Sequence, residues 1–150
     1  MIAMQKILLL KKVDLFAEMT TRQLGHVASV TREQVQPAGS MIFAEGDAGD
    51  ALFVIVSGTV EVQRGGKVLK VLREADYFGE LAVLTGEARN ASIHAVTDCL
   101  LLRLERSDFH EVLAGNFEAV LAVIRLICKR LQETASEAPR ERRTFGGEPW

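Results

Sequence analysis

From about Thr31 to Glu105 the chain is a succession of short β-branched and apolar runs separated by glycine. MIFAE (41–45), ALFVIVSG (51–58), TVEVQR (59–64), KVLKVL (67–72), ASIHAV (91–96) and CLLLRLE (99–105) each have the length and composition of a strand. Gly65-Gly66 between TVEVQR and KVLKVL marks a two-residue hairpin, because glycine tolerates positive φ. Gly39, Gly46, Gly49 and Gly58 punctuate other corners. Short strands at roughly 8–12-residue spacing predict a closed or jelly-roll β structure.

Both flanks change to a helical period. Apolar residues recur at helical spacing from Gln5 to about Val30, with a break near Thr20-Thr21. That predicts two short helices, with Asp14 and Thr20 or Thr21 as caps. SDFHEVLAG and NFEAVLAVIRLICKRLQET predict two more, with Ser107 as N-cap and Gly115-Asn116 as the break. In the last helix Phe117, Val120, Leu121, Ile124, Ile127, Cys128 and Leu131 form one apolar stripe. The stripe suits packing on the β structure, a lid, or a homodimer seam through this helix. The expected architecture is α+β: an antiparallel β jelly-roll barrel with N-terminal helices, a short helix inside the roll and two C-terminal helices. The domain spans 1–135, with helices in 5–30, the β-roll in 31–105 and C-terminal helices in 107–134. The remainder, 136–150 (SEAPRERRTFGGEPW), reads as a disordered tail.

Composition narrows the function classes. At 150 residues and 48% hydrophobic content the chain has the mass for one cored domain. A net charge of -2 gives no basic footprint for nucleic acid. The run Ile7 to Leu10 is too short for a membrane span. Cys99 and Cys128 sit in apolar runs without C-x-x-C spacing, which predicts buried free thiols rather than a disulfide or a metal site. A soluble protein of the reducing cytoplasm is expected.

One stretch interrupts the strand rhythm: FGELAVLTGEARNAS, residues 78–92. Tyr77 to Leu84 lacks period-2 alternation and suits a short helix opened by Gly79. Exposed N–H groups at such a start attract a phosphate, but only by about 0.3–1 kcal/mol near an exposed terminus. Tight capture needs a side-chain cation, and Arg89 has the planar fork for it. Glu80 is a poor neighbour for phosphate and a good acceptor for a ribose hydroxyl. Taken alone, a glutamate and an arginine nine residues apart are more often surface groups than a site.

The stretch resembles the phosphate-binding cassette of the cyclic nucleotide-binding domain family, whose members include protein kinase A regulatory subunits, cyclic-nucleotide-gated channels and the bacterial catabolite activator protein. The family pattern F-G-E-[LI]-A, a loop, then P-R-x-A-[TS] stands here as Phe78-Gly79-Glu80-Leu81-Ala82 and Ala88-Arg89-Asn90-Ala91-Ser92. Pro37 to Val62 resembles the family's first strands, and Val13 to Thr20 its N-terminal helix entry. The resemblance covers roughly residues 10–134, and it implies a domain without a DNA-binding module. It also implies that Arg89, with the backbone N–H groups of Ala82 and Asn90, holds the cyclic phosphate. Glu80 and the Gly79 backbone would then hold the ribose 2′-OH. Ala88 replaces the usual proline, which implies a less preorganised loop. Asn90 is neither the small residue common in cAMP-binding members nor the threonine of many cGMP-responsive ones. cAMP is the expected ligand ahead of cGMP, with no further cofactor.

The resemblance further implies a regulatory module whose C-terminal helices shift on binding. Leu81, Val83 and Leu84 would pack on Phe109, Val112 and Leu113, while Ile127, Arg130 or Leu131 covers the base. The receiver of the signal is expected to be an effector protein or a fused domain. The alternative is the same fold acting as a protein-interaction scaffold without nucleotide. An enzyme is not expected. Glu80 with Glu87, and His26, His94 and His110, come without a nucleophile motif, metal-ligand spacing or phosphate-binding G-x-x-x-x-G-K-[ST] loop.

Overall fold

The computed structural model describes residues 1–137. Eight strands form two four-stranded sheets: β1 (Arg32–Gln36), β2 (Met41–Phe43), β3 (Ala51–Ser57), β4 (Val60–Arg64), β5 (Lys67–Leu72), β6 (Tyr77–Phe78), β7 (Ser92–Ala95) and β8 (Cys99–Glu105). One sheet runs β1-β8-β3-β6 and the other β2-β7-β4-β5, all pairs antiparallel. Among the described residues no ladder joins the two sheets. The jelly roll is therefore a pair of facing sheets rather than the closed barrel expected from sequence. The helices are α1 (Ala3–Leu10), α2 (Thr21–Val30), α3 (Glu80–Thr85), α4 (Arg106–Leu113) and α5 (Phe117–Glu137), with a 3₁₀ turn at Asp14–Phe16.

The unbroken apolar run of β3 reflects burial on both faces. Ala51, Phe53 and Ile55 point between the sheets, where they meet Val60, Val62, Phe78, Ile93 and Leu101. Leu52 and Val54 point the other way, against Phe16, Leu24, Val27, Phe109 and Val123 of the helical layer. Only the first sheet carries helices on its back. β7 accordingly alternates between buried and half-buried residues, as a strand with one covered face should.

Two strands carry no signal of the kind sought in the sequence. β1, REQVQ, is an edge strand whose Val35 is 74% exposed; it contributes a ladder to β8 and little burial. β6 is two residues long and pairs with β3 just before the chain turns into α3. Thr20 caps α2 through a reciprocal box: Gln23 N donates to Thr20 Oγ1 and Thr20 N donates to Gln23 Oε1. Asn116 Oδ1 accepts from Ala119 N at the start of α5. Ser107 is not the cap of α4. β8 runs straight into that helix with Glu105 at the N-cap position, so Ser107 falls in the first turn. Asp14 likewise lies inside the 3₁₀ turn, whose N-cap is Val13. Cys99 is buried as expected, whereas Cys128 is exposed because it lies on the outer side of α5. Ser136 and Glu137 continue α5 rather than opening a tail, and the rest of the expected tail lies outside the described residues.

Candidate ligand site

α3 leaves β6 through Gly79, which has φ +90°. A Cβ there would stand 2.7 Å from Arg89 Nη1 and 3.0 Å from the Ala51 carbonyl oxygen, so backbone angle and space both require glycine. Gly49 approaches the same helix from the other side. A Cβ on it would lie 2.0 Å from Ala82 Cβ. The short helix is thus seated against the backbone of the 46–51 loop, and its register is set by contacts that tolerate no added atom.

Arg89 is 4% exposed. Its Nη1 donates to Gly79 O at 3.0 Å and its Nη2 to Ala51 O at 2.6 Å. Cζ lies 4.0 Å from the Phe43 ring centroid, and Asp50 Oδ1 is 4.0 Å from Nη2. The Arg89 backbone is tied to the loop before β3, with Arg89 N donating to Asp47 O and Gly46 N donating to Arg89 O. Burial pulls the guanidinium below the ordinary arginine range, and Asp50 opposes that pull. Nε has no hydrogen-bond partner. The guanidinium is therefore held beside the helix start by two carbonyls, the Phe43 ring and Asp50.

Glu80, 4% exposed, is the other buried charge at this corner. Its Oε1 accepts from Arg130 Nη1 of α5, and Arg130 Nη2 donates to the Tyr77 hydroxyl at 2.6 Å. Oε2 is buried without a hydrogen-bond partner. Burial raises the Glu80 carboxyl above its ordinary value, with Arg130 opposing, and burial also pushes the Tyr77 phenol up. A buried acceptor oxygen with unused capacity suits a hydroxyl donor.

The structure brings Glu80 and Arg89 together at Gly79, as Arg89 bonds the carbonyl of the residue that precedes Glu80. Phe78 stacks on Phe53 between the sheets, with ring centroids 5.3 Å apart. Ala91 is buried in the same interior, Ala82 lies against Gly49, and Leu81 is half-buried. Asn90 is half-buried, and its carbonyl accepts from Arg64 Nε of β4 at 2.9 Å. Of the three base-capping candidates, Arg130 meets Glu80, Ile127 packs into the helical core, and Leu131 is 42% exposed. Val83 and Leu84 join the cluster that holds Phe109, Val112 and Leu113, and Val83 O is 2.9 Å from His110 Nε2. Glu87 is exposed and forms no pair with Glu80. Sequence reading missed Phe43, Asp50, Ala51, Tyr77 and Arg64. Asp50 stood in plain view in EGDAGD; the others meet the site only through the fold.

The molecule is a two-sheet antiparallel roll with a short helix inserted before β7 and a helical layer over one sheet. The comparisons give this architecture its family: residues 33–116 match the cyclic nucleotide-binding domain model, and the chain belongs to that family. It is similar to a cAMP-dependent protein kinase regulatory subunit of Aspergillus niger, with 37% identity over 75% of this chain and 28% of that protein. It is also similar to a cGMP-dependent protein kinase of Toxoplasma gondii, with 36% identity over 75% of this chain and 11% of that one. The chain thus spans under a third of the length of either relative. Among solved structures, the regulatory domain of Toxoplasma gondii PKA with cAMP superposes with TM-score 0.74 at 25% identity, covering 91% of this chain and 54% of that one. The matched model is that of a cyclic nucleotide-binding domain. No helix among the described residues is long and apolar enough to cross a membrane.

Proposed function

We propose that this chain is a cyclic-nucleotide sensor in which Arg89, with the Ala82 and Asn90 backbone, takes the cyclic phosphate and Glu80 takes the ribose 2′-OH. One observation carries the reading. Two buried, oppositely charged side chains converge on Gly79, and the carboxylate keeps an unused buried oxygen, Oε2. A ribose fused to a phosphate offers a hydroxyl and an anion at matching ends. Each charge costs several kcal/mol to bury without compensation, and in the ligand-free protein Arg89 is offset by two carbonyls and Asp50, Glu80 by Arg130.

Transmission runs through α5. Arg130 of that helix bonds the site's carboxylate, and Val83 of α3 packs with Phe109 and Val112 of α4. A ligand that draws on Glu80 therefore competes with, or redirects, the contact that holds α5 down. The helix moves by as much as the ligand's affinity differs between the two arrangements. Arg130, freed or re-aimed, is the residue best placed to cover the base. cAMP is the favoured ligand, in keeping with the likeness to cAMP-dependent regulatory subunits, although the cGMP-dependent kinase shares nearly the same identity. The receiver meets the outer side of α5, where Phe117 and Ile124 are 71% and 49% exposed. Sedimentation with and without ligand tells a second copy from a separate effector.

Calorimetric titration with cAMP, cGMP and, as open-phosphate control, 5′-AMP tests the reading. Saturable binding of a cyclic form, weakened by Arg89→Ala, supports it and names the base. Glu80→Gln should shrink the preference for the ribo over the 2′-deoxy form. An unchanged ratio removes the ribose assignment. Silence toward all three nucleotides moves the chain to the scaffold reading.

A further inference from the structure

The loop from Gly86 to Asn90 carries the phosphate-binding arginine but has no regular structure, and residues 85–88 are exposed. Its two ends are anchored differently. On one side Arg89 is bonded through its backbone to Gly46 and Asp47. On the other, β7 begins only at Ser92, which pairs with Gln63 of β4. The Asn90–Ala91 peptide lies just before that first rung. The next residue of β4 after Gln63 is Arg64, and its side chain reaches the loop: Nε donates to Asn90 O at 2.9 Å. A side-chain bond thereby continues the β4–β7 contact into the loop where the ladder stops. Arg64 itself is held in β4 by pairing with Lys67 across the Gly65-Gly66 hairpin, so the tether hangs from a rigid element.

We propose that Arg64 is a positioning residue for the phosphate loop: it fixes the Asn90 peptide carbonyl, and thereby the backbone that follows Arg89, in the orientation that receives an anion. The proposal rests on the sensor reading for the identity of that anion, but the tether itself is a property of the ligand-free protein. Two effects add. A partly buried charge-assisted bond orders a loop that would otherwise be ordered at the ligand's expense. The Arg64 side chain also brings a positive charge to the peptide that follows Arg89. Neither effect distinguishes adenine from guanine, because Arg64 acts on the backbone beside the phosphate.

Arg64→Met keeps the aliphatic stem and removes the fork; Arg64→Lys keeps the charge and loses the fixed Nε geometry. Amide hydrogen exchange of the ligand-free proteins is read at residues 89–92, with β3 and β8 as internal references, and cAMP and cGMP affinities are titrated at low and high salt. In Arg64→Met, exchange at 89–92 should accelerate about tenfold while the references hold, corresponding to the lower range for one charge-assisted bond. Both cyclic nucleotides should weaken by a similar factor, about tenfold, and the salt dependence of binding should become shallower. Arg64→Lys should recover the salt dependence but not the exchange protection. Unchanged exchange at 89–92 in Arg64→Met overturns the tether, whatever happens to affinity; so does a uniform acceleration that includes β3 and β8. Faster loop exchange in a protein whose wild type binds neither nucleotide leaves the tether standing and removes the sensor reading instead.

Discussion

The two ends of the site are built from different parts of the molecule. Arg89 is satisfied from within the roll: its partners are the Gly79 and Ala51 carbonyls, the Phe43 ring and Asp50. Glu80, next to Gly79 in the chain, is satisfied from outside the roll by Arg130, fifty residues later on α5. The Arg89 end, proposed to take the phosphate, is thus fixed by sheet and turn, whereas the Glu80 end, proposed to take the ribose, is held by a helix that packs on the sheet's far side. A binding site built wholly like the first would capture its ligand and report nothing. In the proposed sensor, placing one partner on a separate helix would couple occupancy to shape, because moving α5 costs Glu80 its counter-charge.

The sharpest way to break the comparison is Arg89→Ala. It should weaken cyclic-nucleotide binding by roughly 30-fold or more, as expected for about 2–5 kcal/mol lost with one partner of a desolvated charge pair. Because Arg89 also bonds two buried carbonyls, the ligand-free protein should lose about 2–4 kcal/mol of stability in urea. At 4% exposure the Arg89 side chain is part of the packed corner. Arg89→Lys separates the roles, keeping charge for the anion while failing to bridge both carbonyls. An Arg89→Ala protein as stable as wild type would mean that the roll does not depend on the phosphate end.

Gly79→Ala strikes the same end with a smaller effect. At φ +90° an alanine costs about 1–2 kcal/mol in the backbone alone. Its Cβ would also press on Arg89 Nη1 and the Ala51 carbonyl. We expect a loss of about 2–3 kcal/mol in stability and weaker binding by the same displacement of Arg89. A neutral Gly79→Ala would show that the corner is softer than its contacts indicate.

Much of this was legible before the fold, and the division follows physical lines. Apolar and β-branched runs between glycines exposed six of the strands; β3, β4, β7 and β8 bury side chains in a core, whereas β5 showed by composition alone, since it is exposed along most of its length. β1 was not legible because REQVQ has a single apolar residue and joins the sheet through backbone pairing with β8. Glu80 and Arg89 were legible because the cassette packs them into fifteen residues of chain. Arg130 stood out only as one of three candidates on the last helix, and Tyr77 and Phe43 not at all. Their contacts arise from the folding of β2, β6 and α5 about α3, and no local spacing encodes them.

Arg130→Met tests the helix end and should separate from Arg89→Ala in kind. Glu80 would be left buried without its cation, at a cost of about 1–3 kcal/mol once partial solvent access to Arg130 is allowed for. The penalty should depend on pH. Burial already holds the Glu80 carboxyl above its ordinary value, so the native state binds the proton more readily than the unfolded chain. Stability from this group is therefore present below the ordinary carboxylate range and is lost as pH rises through the raised native value. Removing Arg130, which opposes the rise, should extend that loss upward. The variant should then lie closer to wild type near about pH 5 than near about pH 8 in thermal unfolding. Its amides in α5 should exchange faster while those of β3 do not. A pH-independent difference would mean that Arg130 contributes packing on the Tyr77 ring rather than charge to Glu80.

The smallest effect concerns the turn that leads into both ends. Ala75 has φ +68°, the one non-glycine residue in the left-handed region among the described residues, and its N–H donates to Ile55 O. Holding alanine there costs about 1–2 kcal/mol, part of which glycine returns to the unfolded chain as entropy. Ala75→Gly should therefore stabilise the protein by about 0.5–1 kcal/mol in urea unfolding. The turn precedes Tyr77, Gly79 and Glu80 alike and touches neither Arg89 nor Arg130 in the contacts described. The gain should then leave nucleotide affinity unchanged and α5 exchange unaltered. If affinity instead falls as stability rises, the strained turn is part of how α3 is aimed, and the separation between a roll-built phosphate end and a helix-built ribose end begins one turn earlier than Gly79.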